Sequence, residues 1–320
     1  MASNDMTTSN TGQPVTLCSE SLQVVVTPAL GGQIVSLSDA VGHEYLARAP
    51  HPRPPDLPLY APYLEGGLGG IDDCLPAIAA EPYPPGPYAG WLIPDHGELW
   101  QRPWDVIHQT SSELTLAITG SRLPYRLTRT ATVAGDVLRV EYCLSSNCDT
   151  DLPVVWAAHA LLAVTPGAVL DIGNPTSLMT DQTSSAGIAP YSRIPYPRLR
   201  LTGKDIDLRY WDTLPPGFFM KGFAPLAAGA PVALHHPQWH TALTIVTRSD
   251  HPLHIGLWLN RGGIPSGAPL EHVALEPTFG SADLLSRAVD DGSCLVLKAR
   301  ASPCWTVSYQ VVQVRRAKRG

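Results

Sequence analysis

The sequence predicts an all-β fold, a large antiparallel β-sandwich. Three observations carry that reading. Short β-rich runs recur along the whole chain, 32 prolines and 27 glycines are scattered between them as turn signals, and no long amphipathic helix is written anywhere. With 320 residues, 44% of them hydrophobic, the chain is long enough for a sizeable core, and no composition break separates two domains. The expected organisation is a polar, disordered tail over residues 1–14, one domain over 15–314 and a basic tail over 315–320.

The elements follow in chain order. SLQVVVTP (21–28) leads through a glycine pair into GQIVSLSD (32–39). The stretch 48–94 is rich in Pro, Gly and aromatic residues, without periodicity, and reads as an irregular covering over one end of a sheet. SELTLAITG (112–120), YRLTRTATV (125–133) and DVLRVEYCLSS (136–146) follow. In the last two, polar and apolar residues alternate, the period of a strand with one wet face, and Ala134-Gly135 between them signals a hairpin. Further strands are expected at 153–164, 240–248, 254–260, 272–277, 293–299 and 304–314, with one or two helical turns in ADLLSRAVDDG (282–292) ending at Gly292.

Charge and composition exclude several classes of function. The net charge is −6, and Lys and Arg cluster only in the terminal tail, which speaks against a nucleic-acid partner. No window approaches the ~18 apolar residues of a membrane helix, and the N-terminus lacks a signal-peptide pattern, so the expected location is the cytoplasm. The six cysteines form no CxxC pair and read as reduced thiols serving as small hydrophobes. There is no GxGxxG after a strand, no Walker motif and no HExxH, so no nucleotide or metal is expected. His235-His236 and His251 with His254 are the one hint of a metal site, and strand neighbours at i and i+1 point to opposite faces.

Three places could carry chemistry. PDHGELWQRPW (94–104) sets Asp95, His96, Glu98 and Arg102 beside Trp100 and Trp104, a mixture suited to a polar pocket with aromatic walls of the kind that holds a sugar. The rival reading of His96 is a turn cap. VVWAAHALLAV (154–164) is almost wholly apolar, with Trp156 and His159 in it; such a histidine is ordinarily a hydrogen-bonded core residue, though imidazole suits proton transfer near neutrality. HVALEPTFG (272–280) places Glu276 at a strand end, where enclosure would raise its pKa towards that of a general base, and where the rival reading is an ion pair with Arg261. LNRGG (259–263) adds Asn260 and Arg261 as groups able to grip hydroxyls.

Taken in order along nearly the whole chain, these segments resemble the galactose mutarotase-like superfamily, the aldose 1-epimerases and their relatives. VVVTPALGGQIVSLSDAVGHEYL (24–46) is similar to the family's opening, PDHGELW to its His-Gly segment, VVWAAHALLAV to the strand with its second histidine, and HVALEPTFGSADLL to the segment with its glutamate. The resemblance implies a supersandwich and a cofactor-free interconversion of sugar anomers. It would make Glu276 the base on the C1 hydroxyl, His159 the acid at the ring oxygen, and His96 a binder that polarises that oxygen or a neighbouring hydroxyl. Two departures touch substrate contacts: GGLGGIDDCLPAI (66–78) stands where the family has an Asn-Arg pair, and Ala160, Leu161 and Leu162 follow the second histidine. Asp72, Asp73, Arg102, Asn260 and Arg261 are the groups expected to take over those contacts, with Trp100 and Trp156 as aromatic wall and Asp205, Asp207 or Asp212 as the family's further acidic residue. The partner expected is a small carbohydrate, and a homodimer is compatible with the reading. The alternatives are a carbohydrate-binding protein without catalysis, or another sugar isomerase or lyase on the same scaffold.

Overall fold

The computed structural model describes residues 12–66, 68–185, 187–266 and 270–314. The expected basic tail 315–320, and all but residues 12–14 of the expected N-terminal tail, lie outside those residues.

Strand accounts for 48% of the chain and helix for 4%, so the all-β expectation holds. The larger sheet has ten strands. In spatial order they are Val15–Cys18, Leu22–Thr27, Gln33–Asp39, Ile71–Cys74, Ala157–Leu162, Glu271–Thr278, Leu253–Arg261, Phe218–Leu226, Ser177–Ser184 and Arg193–Pro195. Every pairing is antiparallel. An eight-stranded sheet packs against it, and in it Tyr125–Ala134 and Val137–Ser146 are neighbours, joined at Gly135 as the sequence signals. Alternation is clean there: Tyr125, Leu127, Ala131 and Val133 point into the sandwich while Arg126, Thr128, Thr130 and Thr132 face outward. Arg129 shares the inward face and is the exception that needs a partner.

Two strands of the ten-stranded sheet, Ala157–Leu162 and Glu271–Thr278, are buried on both faces apart from Glu271. One face meets the opposing sheet, and the other is covered by the segment before residue 94. That segment is not wholly irregular: it holds a 3-10 turn at Tyr63–Gly66 and the short strand Ile71–Cys74. Four residues with two central aspartates carry no β signature, and pairing, with Ala157–Leu162 on one side and at Ile34 on the other, makes them a strand. The expected run 153–164 is likewise broken. Leu152–Val154 pairs with Leu295–Leu297, and the chain resumes as a strand at Ala157 in the large sheet. Leu285–Asp290 is the expected short helix, and Gly292 beyond it takes a positive φ of 72°.

The cysteine reading needs one correction. Cys143 and Cys304 form a disulfide, because the antiparallel register sets them directly opposite each other on neighbouring strands with Cα atoms 4.2 Å apart. Cys18, Cys74, Cys148 and Cys294 are free. Among the described residues no helix is long and apolar enough to cross a membrane.

Candidate active site

The site is built from a row of side chains running across one face of the large sheet. Register places Asp72 opposite His159, Ala157 opposite Thr278 and hence His159 beside Glu276, Glu276 opposite Gly256, and Lys221 opposite Trp258. Because side chains alternate along each strand, Asp72, His159, Glu276, Gly256, Trp258 and Lys221 share that face. Gly256 leaves a gap in the row: a Cβ there would lie 3.4 Å from Glu276 Oε2 and 3.2 Å from the Phe223 ring. Across that gap Lys221 Nζ donates to Glu276 Oε2 at 2.5 Å.

Glu276 is fully buried. Its other oxygen, Oε1, has no hydrogen-bond partner and faces His159 Nε2 at 3.7 Å. Lys221 also faces Asp283 Oδ1, at 3.6 Å. Burial alone would strip the charge from Lys221, but Asp283, Glu276 and Asp181 outweigh it and hold the ammonium charged. Asp283 stands just beyond the Glu276 strand, held by its backbone: its carbonyl accepts from Ile78 N and Ala79 N, and its N–H donates to Asp181 Oδ2. Burial pushes the Asp283 carboxyl up to about 7, with Lys221 pulling the other way and Asp181 and Glu276 adding to the rise.

His96 arrives from a tight turn. It has a φ of 58°, and Gly97 after it a φ of 75°, where any Cβ would strike the Leu75 backbone. Asp95 fixes the imidazole, Oδ1 to Nδ1 at 2.8 Å, and its other oxygen accepts from Tyr63 N. The Tyr63 ring stacks on His96 with centroids 3.9 Å apart, and the His96 and His159 rings meet edge to face at 4.9 Å. His96, His159 and Glu276, far apart in sequence, therefore stand together.

Tyr63 settles the state of His159. The hydroxyl donates its one proton to Asp72 Oδ2 at 2.7 Å, an oxygen that also accepts from Arg53 and Gln33. The contact between Tyr63 Oη and His159 Nδ1, at 3.2 Å, must then be a donation by the imidazole. In a neutral ring that leaves Nε2 without hydrogen, aimed at the pocket floor. Burial, with the charges of His96, Lys221 and His272, lowers the His159 pKa well below its ordinary 6.5, so the ring is uncharged at neutral pH.

Above this row opens a cavity of about 220 Å³. One side of it is polar, with His96, His159, Lys221 and Asp283; the other is apolar, with Leu64, Leu68, Leu161, Ile264 and Trp258. His272 also lines it, its Nε2 accepting from Trp258 Nε1 at 3.1 Å, and burial drops its pKa to about 4. Among the described residues no group of three or more His, Cys, Asp or Glu is arranged to hold a metal ion.

The remaining sequence candidates lie elsewhere, for identifiable reasons. Asp73 sits one residue from Asp72 and so points to the opposite face, where Arg129 binds it at 2.6 Å and Trp156 Nε1 donates to it. Trp156 packs among Tyr142, Phe279 and Trp305 inside the sandwich. Trp100 is buried behind Tyr63 and donates to the Asp95 carbonyl, which makes it a support for the wall and not the wall itself. Trp104 stacks under Arg129. Arg102 turns to Glu98, whose carboxylate is otherwise held by Tyr125 and Ser121. Arg261 donates to the carbonyls of Trp211, Asp212 and Leu214. Asn260 does reach the pocket, but its amide is spent on Gly263 and Ile264 in the adjoining turn. Asp205 pairs with Arg200, Asp207 with Arg209, and Asp212 accepts from Gly167 N. The acidic residue at the pocket is Asp283. Neither it nor Tyr63 nor Lys221 is marked by any local motif.

The fold has close counterparts among solved structures. A protein of Synechocystis sp. PCC 6803 is similar over 98% of this chain and 100% of its own, at 17% identity and a TM-score of 0.72. A galactose mutarotase-like protein from Lactobacillus casei covers 93% of this chain and 100% of its own, at 16% identity and a TM-score of 0.67. Galactose 1-epimerase from Lactobacillus acidophilus NCFM covers 94% of each chain at 11% identity and a TM-score of 0.62. No family sequence model and no curated protein sequence matches the chain. The architecture is therefore the galactose mutarotase-like fold.

Proposed function

We propose that the pocket takes an aldose and interconverts its α and β anomers by acid–base ring opening and closure, without a cofactor. The observation that carries this reading is the Oε1 of Glu276, a buried carboxylate oxygen without a hydrogen bond that faces His159 Nε2 directly beneath the open pocket lined by His159 and Lys221. A buried carboxylate bonded to a lysine through one oxygen and left bare on the other is suited to take a proton. Glu276 takes the C1 hydroxyl proton, the C1–O5 bond opens, the aldehyde turns, and closure from the other face returns the proton. His96 and the apolar wall of Trp258 and Leu161 orient the sugar, whose C–H faces suit such a surface. The polar rows and the like-folded galactose 1-epimerase both support a carbohydrate as the ligand.

A second reading, a carbohydrate-binding protein without catalysis, draws on the same Lys221 contact, because a charged lysine bonded to the base weakens it. NMR exchange spectroscopy over a panel of aldoses separates the two. Faster anomer exchange is expected, with Glu276→Gln losing about 10²–10⁴-fold in rate while its melting curve and sugar affinity are kept. Undiminished exchange in Glu276→Gln refutes the assignment, and sugar binding without any acceleration by the unmutated protein selects the binding reading.

A further inference from the structure

Opening a hemiacetal ring needs a proton on the ring oxygen as well as a base on the C1 hydroxyl. His159 is poorly equipped to give it. Its pocket-side nitrogen carries no hydrogen, since Tyr63 commits its own proton to Asp72 and draws the imidazole hydrogen to Nδ1. Supplying a proton from Nε2 would require an imidazolium in a site that already holds the Lys221 ammonium.

Asp283 is differently placed. It lines the same pocket, across Lys221 from Glu276, and its buried Oδ1 has no hydrogen-bond partner. Three backbone hydrogen bonds hold the residue, so its side chain is not needed to keep the loop in place. We propose that Asp283 is the catalytic acid that protonates the ring oxygen, and that His159 accepts a hydrogen bond from a sugar hydroxyl through Nε2. The inference rests on the anomer-exchange reading of the site.

The step balances. Glu276 removes the O1 proton, and the O1–H electron pair becomes the second C1–O1 bond. The C1–O5 pair leaves with O5, which takes the Asp283 proton. After rotation about C1–C2, O5 attacks the other face of the carbonyl, its proton returns to the Asp283 carboxylate, and Glu276 gives its proton back to O1. Nothing is oxidised or reduced. The groups facing Asp283 are Lys221, Asp181, Glu276 and His96; burial, with Asp181 and Glu276, pushes its carboxyl up to about 7 against the pull of Lys221 and His96, so the proton is held below neutrality and lost above it.

The test is the pH dependence of kcat/KM for whichever aldose the protein accelerates. In the unmutated protein kcat/KM is expected to fall as the pH rises through about 7, as Asp283 loses its proton. Asp283→Asn is expected to lose about 10²-fold or more in rate together with that alkaline limb, with an unchanged melting curve. Asp283→Glu should regain part of the rate and an alkaline limb, and Asp283→Ser gives the same reading as the Asn variant should that one not fold. His159→Gln is expected to raise KM and keep the limb. The proposal is overturned if Asp283→Asn keeps the rate and the limb, or if the limb disappears in His159→Gln instead; the anomer-exchange reading then still stands. If the unmutated protein accelerates no aldose, that reading fails and takes this proposal with it.

Discussion

Asp72 and Asp73 are sequence neighbours in one short strand, yet they serve two different regions. Asp73 faces the interior of the sandwich, where Arg129 from the opposing sheet binds it, Trp156 donates to it, and Trp104 covers the guanidinium, which also donates to the Gly32 carbonyl. Asp72 faces the site, with Arg53, Gln33 and Tyr63 on a single oxygen. The inner region is sealed, and its charges are matched across the two sheets. The outer region leaves Glu276 Oε1, Asp283 Oδ1 and Asp72 Oδ1 unpartnered although each is buried. Unfilled valence on a buried oxygen is costly. The two regions differ in how buried charge is met: the inner carboxylate is saturated by protein, and each outer one keeps an oxygen without a hydrogen bond.

Perturbing the sealed side should give the largest effect on stability and little on chemistry. Arg129→Ala leaves Asp73 buried and unpaired, and is expected to cost about 3–5 kcal/mol in a urea melt, with anomer exchange per folded molecule unchanged. A loss below about 1 kcal/mol would show that the inner pair is not sealed as described. Gly256→Val probes the open side. The added side chain presses on Glu276 and on the space that Lys221 crosses, so a rate loss on the order of 10²-fold is expected, larger than any accompanying drop in melting temperature implies. Equal rates would mean that the position of Glu276 matters less than its presence. The smallest effect belongs to Arg261→Ala. It removes donors to three carbonyls at the edge of the fold, which should cost about 1 kcal/mol and leave KM alone; a raised KM would bring that guanidinium back to the substrate.

Much of this was legible in the sequence, and the reason is chemical contrast. His159 and Glu276 stand out because each is the one charged or titratable group in a run of small apolar residues, and His96 because it sits in a turn of unusual polarity. The fold was legible because alternation and turn residues are local signals. What stayed hidden depends on register. Arg102 and Arg261 look like site residues because they lie near His96 and Glu276 in the chain, yet each is drawn to a nearer partner. Asp72 and Asp73 are indistinguishable in the sequence, and one residue in a strand is a change of face. Tyr63 lies in a Pro-rich stretch without period, and Lys221 in the strand Phe218–Leu226, where FFMKGFAPL has no alternation to read. Both become site residues only through pairing between distant segments.

That same pairing makes the pocket depend on contacts between segments far apart in the chain. Asp72, His159, Lys221 and Glu276 occupy four strands drawn from positions 71 to 278, and the central strand Ala157–Leu162 lies between Ile71–Cys74 and Glu271–Thr278, each far from it in the chain. Contacts of such high order form slowly, because chain closure must precede them. No fragment shorter than the span from Asp72 to Glu276 contains the whole row, so a chain cut once between these strands and separated holds sheet and hairpins but not the row. The pocket is in this sense a readout of completed topology: its row of polar side chains is assembled only when the strands that carry them have paired.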